Sequence, residues 1–176
     1  RREYSMPTDI LPSIIIIAVL LVFSAFFSAS ETAFSTCNRI KLKTLAEKGH
    51  KGAKRALKIA DAFDKTLTTI LIGNNIVNIA STSITTTLFV MLFGDAGAGI
   101  ATAVMTVLVL IFGEIIPKSL AKETADDGVM WMSVPLKFIM FILTPFSSLF
   151  TLLKNGIIKL FNVRSSNTGV TADELL

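Results

Sequence analysis

The sequence predicts an all-α membrane protein with three transmembrane helices in each protomer. The first observation is composition, because 52% of the 176 residues are hydrophobic and the mean hydropathy of +0.66 is high for a soluble domain. The second is that apolar residues form long runs, at residues 10–27, 66–93 and 98–116, each long enough for a helix to cross a bilayer. The third is a basic segment between the first two runs.

The first apolar run, residues 10–27, would extend over about 27 Å as a helix, which is close to the thickness of the hydrocarbon core. Residues 28–36 continue it as a small, polar helix. Residues 1–7 do not read as a signal peptide, since no small-residue cleavage site precedes a polar mature region. We therefore expect the first run to be a retained transmembrane helix.

The segment 38–65 is basic. It contains nine lysines and arginines and three acidic residues, namely Arg39, Lys41, Lys43, Lys48, Lys51, Lys54, Arg55, Lys58 and Lys65 against Glu47, Asp61 and Asp64. By the positive-inside rule this loop is cytoplasmic and the amino terminus lies outside. We expect amphipathic helices here, with a turn at residues 48–52. Lipid headgroups are the expected contacts, and nothing else in the sequence supports nucleic-acid binding.

The second run, residues 66–93, carries Asn74, Asn78, Ser81 and Thr85 at the spacing of one helical face. A lipid-facing helix would not carry this stripe, so it faces protein or water. For the two hydroxyls the alternative is interhelical hydrogen bonding that holds the bundle together. A short turn at residues 94–97 then makes the second and third spans an antiparallel pair.

If the fourth apolar region, residues 129–161, crossed the membrane, it would place the carboxyl terminus outside, in conflict with the positive charges there. Three crossings already return the chain to the cytoplasm, yet further lysines follow in this region. Pro135 and Pro145 are also expected to cut it into pieces too short to span. We predict that it dips in and out of the membrane or lies along the inner interface as a juxtamembrane helix, with the carboxyl terminus in the cytoplasm.

A carboxylate at membrane depth marks the candidate site. Residues 113–118 place Glu114 at the end of the third apolar run, where a charge costs roughly 3 kcal/mol or more to insert. Polar clusters at residues 28–32 and 73–78 lie at comparable depth by helical rise. Their hard oxygen groups suit Mg²⁺, Ca²⁺ or Na⁺ and argue against Zn²⁺ or Cu⁺. The candidate metal ligands are Ser28, Ser30, Asn74, Asn75, Asn78, Gly113 and Glu114.

Helix breaks add backbone ligands to this set. Gly73, Gly113 and Pro117 allow the backbone to open and to point carbonyl groups inward, although helix contacts and a simple kink explain them equally well. Glu31 either faces the inner vestibule or pairs with Lys118 or a basic residue of the loop. Lys118 could instead neutralise Glu114, so the choice between gating and structural roles stays open.

Three motifs occur in order: Phe-Ser-Ala-Ser-Glu-Thr-Ala at 27–33, Gly-Asn-Asn-Ile-Val-Asn at 73–78 and Gly-Glu-Ile-Ile-Pro-Lys at 113–118. Together they resemble the transmembrane domain of the cyclin M (CNNM) and CorB/CorC magnesium-transport family, over nearly the whole chain. The resemblance implies a homodimer of three-span protomers with short inner helices and a juxtamembrane helix. It implies Mg²⁺ export from the cytoplasm driven by inward Na⁺, with Ser28, Asn74 or Asn78, and Glu114 at the ion.

The resemblance also sets expectations for the domains. Residues 1–163 would be the transport domain, and residues 164–176 would begin a linker to a cytoplasmic CBS-pair module that binds ATP–Mg²⁺ and is not within this sequence. An enzyme is not expected, because no nucleophile–base pair or cofactor motif occurs. The alternatives to a plasma- or inner-membrane Mg²⁺ transporter are a membrane-anchored Mg²⁺-sensing regulator or scaffold and a Na⁺ channel-like pore.

Overall fold

The structure, a computed structural model, describes residues 10–160, with side chains as far as residue 145. The residues expected to begin a linker, 164–176, lie outside this range. Every element within the range is helical. In chain order these elements are α1 (Ile10–Thr36), α2 (Arg39–Glu47), α3 (Lys51–Asp61), α4 (Phe63–Phe93), a 3₁₀ turn (Gly94–Ala96), α5 (Gly97–Leu108), a π-helical segment (Val109–Ile115), α6 (Ile116–Glu123) and α7 (Ala125–Leu160).

Three helical stretches are long and apolar enough to cross a membrane: Ile10–Thr36, Phe63–Glu123 and Ala125–Pro145. The second stretch reverses direction at the turn Gly94–Ala96, where Gly97 meets the backbone of Phe89. It therefore contains α4 and α5 as an antiparallel pair, as predicted. Helix α1 packs against α4, the π-helical segment and α6, so it occupies the centre of the bundle.

The basic loop folds into α2 and α3, which are separated by a turn at residues 48–50. Asn38 begins α2 by accepting the Lys41 N–H at 3.0 Å, and His50 begins α3 by accepting the Ala53 N–H through Nδ1 at 3.2 Å. The apolar faces of these helices are buried or half-buried, including Leu42 at 0% exposure. They hold the basic loop against one end of the bundle, which we call the inner end because the sequence predicts that this loop is cytoplasmic.

The first half of α7 crosses that same end of the bundle. Asp126 accepts the backbone N–H of Asn38 at 2.8 Å and the Lys41 Nζ at 2.9 Å, at the end of α1. Further along, Thr66 in the first turn of α4 lies 3.9 Å from the sulfur of Met140. Residues 126–140 thus pack beside the ends of α1 and α4 and beside α3, and a juxtamembrane position for this stretch stays a prediction.

The prediction that Pro135 and Pro145 cut the fourth region into short pieces was wrong. Helix α7 runs through both prolines without interruption. A proline in a helix cannot donate a hydrogen bond to the carbonyl four residues earlier, and its ring crowds that carbonyl. For Pro135 and Pro145 the affected carbonyls are those of Trp131 and Phe141. Trp131 and Phe141 are 70% and 79% exposed, and both prolines are exposed too. The distortion therefore falls on the outward face, where no packed neighbour resists it.

Pro117 likewise does not end the third span, contrary to prediction. It occupies the first turn of α6, where a proline is tolerated, and the helix continues to Glu123. The adjustment occurs before it, because Val109–Ile115 is wound as a π-helix, with the Ile116 N–H bonded to the carbonyl of Ile111. Such wide turns frequently mark functional positions.

Close contact between α1 and α4 depends on Gly73. A Cβ at this position would overlap the ring of Phe27, which is only 4% exposed. The absence of a side chain lets the ring lie flat against the α4 backbone one residue before Asn74. This contact holds the polar faces of the two helices at a fixed depth relative to each other.

We predict that Gly73→Ala destabilises the protein by about 1–3 kcal/mol, because the added methyl group forces the buried Phe27 ring to move. The measurement is the melting temperature of the purified protein in detergent. Gly99→Ala in α5 is the matched control, since nothing lies within 4 Å of its Cβ position and alanine favours the helix. Equal melting temperatures for the two variants would contradict this packing. Adding Phe27→Leu to Gly73→Ala should restore part of the lost stability.

Candidate cation site within the membrane

Ser24 connects three elements at the centre of the candidate site. Its Oγ donates a hydrogen bond to Oδ1 of Asn74 on α4 at 3.1 Å. On its other side, the Cβ position of Gly113 in the π-helical segment lies only 2.8 Å from the same Oγ. A residue larger than glycine would not fit there, so α1, α4 and the third span meet at this hydroxyl.

Two buried oxygen atoms, one on each side of this junction along the bundle, have no hydrogen-bond partner among the described residues. Ser28 lies one helical turn inward from Ser24 on the same face, is 0% exposed, and its Oγ is unbonded. Oδ1 of Asn78 is also buried without a partner, while its Nδ2 donates to Oδ1 of Asn74 at 3.5 Å. Each such group costs roughly 1–3 kcal/mol when nothing binds it, so the pair indicates a place for a ligand.

Glu114 supplies negative charge to the cavity on the Asn78 side of the junction. It is partly buried and lines a cavity of about 300 Å³ that Asn78 also lines. Within the described residues its carboxylate forms no ion pair. The π-helical winding around Glu114, followed by Pro117 with no N–H to donate, leaves a carbonyl of this segment without its helical bond. The arrangement joins one carboxylate to amide, hydroxyl and carbonyl oxygens.

The structure thus places Asn74, Asn78, Gly113 and Glu114 at or beside the Ser24 junction, with Ser28 one helical turn further inward, and it separates the other two candidates from this region. Ser30 is buried without a partner, yet it is two residues from Ser28 and so about 200° away around α1. Asn75 is exposed on the outer side of α4. The helical period separates both from the cluster, although their neighbours in sequence belong to it.

The outer part of the α4 stripe has a structural role. Ser81 and Thr85 are 1% and 2% exposed, so the stripe faces protein. Their hydroxyls donate to the carbonyls of Asn78 at 3.1 Å and Ser81 at 2.8 Å, within α4 itself. They make no interhelical bond of the kind considered from the sequence.

Lys118 pairs with Glu31 and not with Glu114. Its Nζ lies 3.2 Å from Oε2 of Glu31, and both side chains are partly exposed. Lys118 is one helical turn inward from Glu114, so this pair lies between the candidate site and the inner end of the bundle. The lysine charge is compensated there, which leaves the Glu114 carboxylate available to a cation.

Nitrogen and sulfur ligands take no part in the site. Among the described residues no group of three or more His, Cys, Asp or Glu side chains is placed to hold a metal ion. Cys37 is at the inner end of α1, and burial raises the pKa of its thiol, which keeps it protonated. His50 caps α3, far along the chain from any candidate ligand.

Sequence reasoning missed Ser24, which makes the central contact. The signal was available, because Ser24 and Ser28 are four residues apart and share a helical face. Ser24 was overlooked because it lies within a continuous apolar run, where a single serine usually bonds to its own helix.

Comparison with known proteins assigns these features to a family. Residues 15–176 match the model of the cyclin M transmembrane N-terminal domain. A Haemophilus influenzae protein of the UPF0053 group is 37% identical over 85% of this chain and 36% of its own length. The Escherichia coli UPF0053 inner membrane protein YfjD is 40% identical over 66% of this chain and 28% of its own length.

A more distant relative carries a functional name. The polyamine export protein of Salmonella typhimurium is 27% identical over 94% of this chain and 40% of its own length. The chain therefore spans between about a quarter and two fifths of the length of the curated relatives it matches.

We predict that Ser28→Ala leaves stability unchanged or raises it in the absence of ions, because it removes a buried hydroxyl that has no partner. Ser24→Ala should lower stability by about 1 kcal/mol, because it breaks the bond to Asn74. Both effects are read from thermal unfolding in detergent with chelator present. A larger loss in Ser28→Ala than in Ser24→Ala would show that the Ser28 hydroxyl is structural.

Proposed function

This chain belongs to the cyclin M transmembrane N-terminal domain family of multi-pass membrane proteins, and from that premise we propose that it exports Mg²⁺ from the cytoplasm. The ion would bind, largely dehydrated, between α1, α4 and the π-helical segment. Glu114 would supply the charge, and Ser28, with Asn74 or Asn78 and a carbonyl near Gly113, would replace water ligands. The observation that carries the proposal is the unpartnered buried oxygen of Asn78, a residue that lines the same cavity as the Glu114 carboxylate.

The chemistry of the ligands supports a small hard cation. All the candidate groups are oxygen atoms, which Mg²⁺ prefers, and a single carboxylate compensates only part of a divalent charge. Affinity should therefore be modest. A modest affinity suits a transporter, which must release its ion, better than a storage site.

The energy source and the assembly belong to the same proposal. The family resemblance supports coupling to Na⁺ entry and a homodimer. The basic loop of α2 and α3 supports a cytoplasmic location for the inner end, with the amino terminus outside and the carboxyl end in the cytoplasm. In relatives longer than this chain, the resemblance predicts a cytoplasmic CBS-pair module.

A polyamine is the second candidate substrate. The relative named polyamine export protein aligns with almost the whole chain, and Met105, Val109 and Leu110 give the cavity an apolar wall that would suit an alkyl chain. One carboxylate matches only one ammonium group of such a molecule, which favours the metal ion. Transport assays with Mg²⁺ and with spermidine, at equal gradients, separate the two. Binding of Mg²⁺ without flux of either would instead indicate a sensing regulator or scaffold.

We predict that Glu114→Gln removes measurable Mg²⁺ binding and abolishes Mg²⁺ efflux from reconstituted vesicles, because the amide keeps the shape of the side chain but carries no charge. Binding is measured by calorimetry and efflux by a Mg²⁺-sensitive dye. Glu123→Gln is the matched control, since Glu123 is exposed at the end of α6. Wild-type binding and efflux in Glu114→Gln would overturn the assignment.

A further inference from the structure

A stripe of threonines lies between α4 and α5, outward from the candidate cation site. The cavity of about 300 Å³ is bounded by Asn78 and Thr82 on α4, by Thr102 and Thr106 on α5, and by Glu114 at its inner end. A second cavity of about 570 Å³ shares Asn78 and Thr82 and continues along α4. We call Thr82, Thr102 and Thr106 the threonine lane.

The threonine lane reaches from Glu114 almost to the α4–α5 turn. Thr102 is five residues into α5, or roughly 8 Å from the turn, and Glu114 is about 18 Å further along the span. In the proposed topology this turn lies on the outer, non-cytoplasmic side of the membrane. The lane therefore covers most of the distance between the candidate site and the outer surface.

The two hydroxyl groups that α5 contributes to the lane present acceptors and not donors. Thr102 Oγ1 donates to the carbonyl of Ala98 at 2.9 Å, and Thr106 Oγ1 donates to the carbonyl of Thr102 at 2.8 Å. With their protons committed to the helix, these oxygens offer only lone pairs to the cavity. The water molecules around a cation such as Mg²⁺ point their hydrogens outward, so they require acceptors of this kind.

Lipid would not satisfy these groups. Hydrocarbon tails have no donors, and the partly buried Glu114 carboxylate at the inner end of the lane would be costly against them. Asn78, a polar residue, lines both cavities. An aqueous passage satisfies the carboxylate charge and the hydroxyl groups together.

We propose that the threonine lane is the water-filled outer path by which the cation leaves Glu114 and regains its hydration shell. This inference rests on the proposed function, because it assigns the release route of the same ion. It places exit between α4 and α5, whereas α1 closes the other side of the site through Ser24 and Phe27.

Cysteine accessibility tests the path directly. The sequence has one cysteine, so Cys37→Ser gives a background without thiols. Thr82→Cys and Thr106→Cys are then introduced singly, and the protein in lipid vesicles is treated with a charged, membrane-impermeant thiosulfonate on both sides. Val107→Cys is the matched control, because Val107 is adjacent to Thr106 and 53% exposed, but is not among the residues that line the cavity.

We predict rapid labelling at positions 82 and 106 and little labelling at position 107, because a thiolate forms and reacts only where water reaches it. Reagent confined to the outside should still label both lane positions under an applied Mg²⁺ gradient. Labelling at 107 as fast as at 106, or no labelling at 82 and 106, overturns the proposal. Spontaneous disulfides between copies through position 82 or 106, without labelling, would mean that a second copy fills the lane and would also overturn it.

Transport by valine variants separates this inference from the proposed function. Thr82→Val combined with Thr106→Val should lower Mg²⁺ flux roughly tenfold while calorimetric Mg²⁺ binding stays at the wild-type level. Thr87→Val is the control. The Thr87 hydroxyl donates within its own helix, to the Ser83 carbonyl at 3.0 Å, as that of Thr106 does, but Thr87 lines a different cavity. Wild-type flux in the double variant overturns the lane alone, whereas absence of flux in the unmodified protein overturns the proposed function.

Discussion

The contact of Ser24 with two neighbours at once is the constraint on which the rest of the structure depends. Its hydroxyl bonds to Asn74, and it leaves room for no side chain at position 113. One residue before Asn74, Gly73 admits the ring of Phe27 in the same manner. Small residues at both crossings let the backbones approach closely, which is how helices associate in lipid. Polar groups from three spans therefore meet at one depth.

The polar groups that meet there are not all used by the fold. The Ser24–Asn74 bond stabilises the bundle, whereas the oxygens of Ser28 and Asn78 are buried at a cost and bond to nothing. A sequence selected only for stability would replace them with apolar residues. The Asn78 oxygen belongs to a residue that lines the same cavity as Glu114, which is the physical basis for regarding this region as a binding site. The Lys118–Glu31 pair keeps the lysine charge from occupying it.

Much of the fold could be predicted from the sequence, because apolar run length, the basic loop and the turn at residues 94–97 are local signals. The effect of a proline on its helix could not be predicted, since it depends on whether the carbonyl that loses its hydrogen bond faces a packed neighbour. In α7 it faces outward, so the helix continues through Pro135. The π-helical winding before Pro117, which packs against α1, was likewise not predicted, because the sequence indicated only a possible break at Gly113 and Pro117. At the site, motif membership placed Ser30 and Asn75 with their neighbours, and only the helical period shows that they point elsewhere.

The central claim is that Glu114 and Ser28, with Asn74 or Asn78, hold one largely dehydrated cation. The most direct measurement is an experimental structure of the protein with Mn²⁺ in place of Mg²⁺, using the anomalous signal to locate the ion. The account predicts one peak between α1, α4 and the π-helical segment, with oxygen ligands at about 2.1–2.2 Å. A peak elsewhere, no peak at saturating Mn²⁺, or a Glu114 carboxylate turned towards lipid would contradict it.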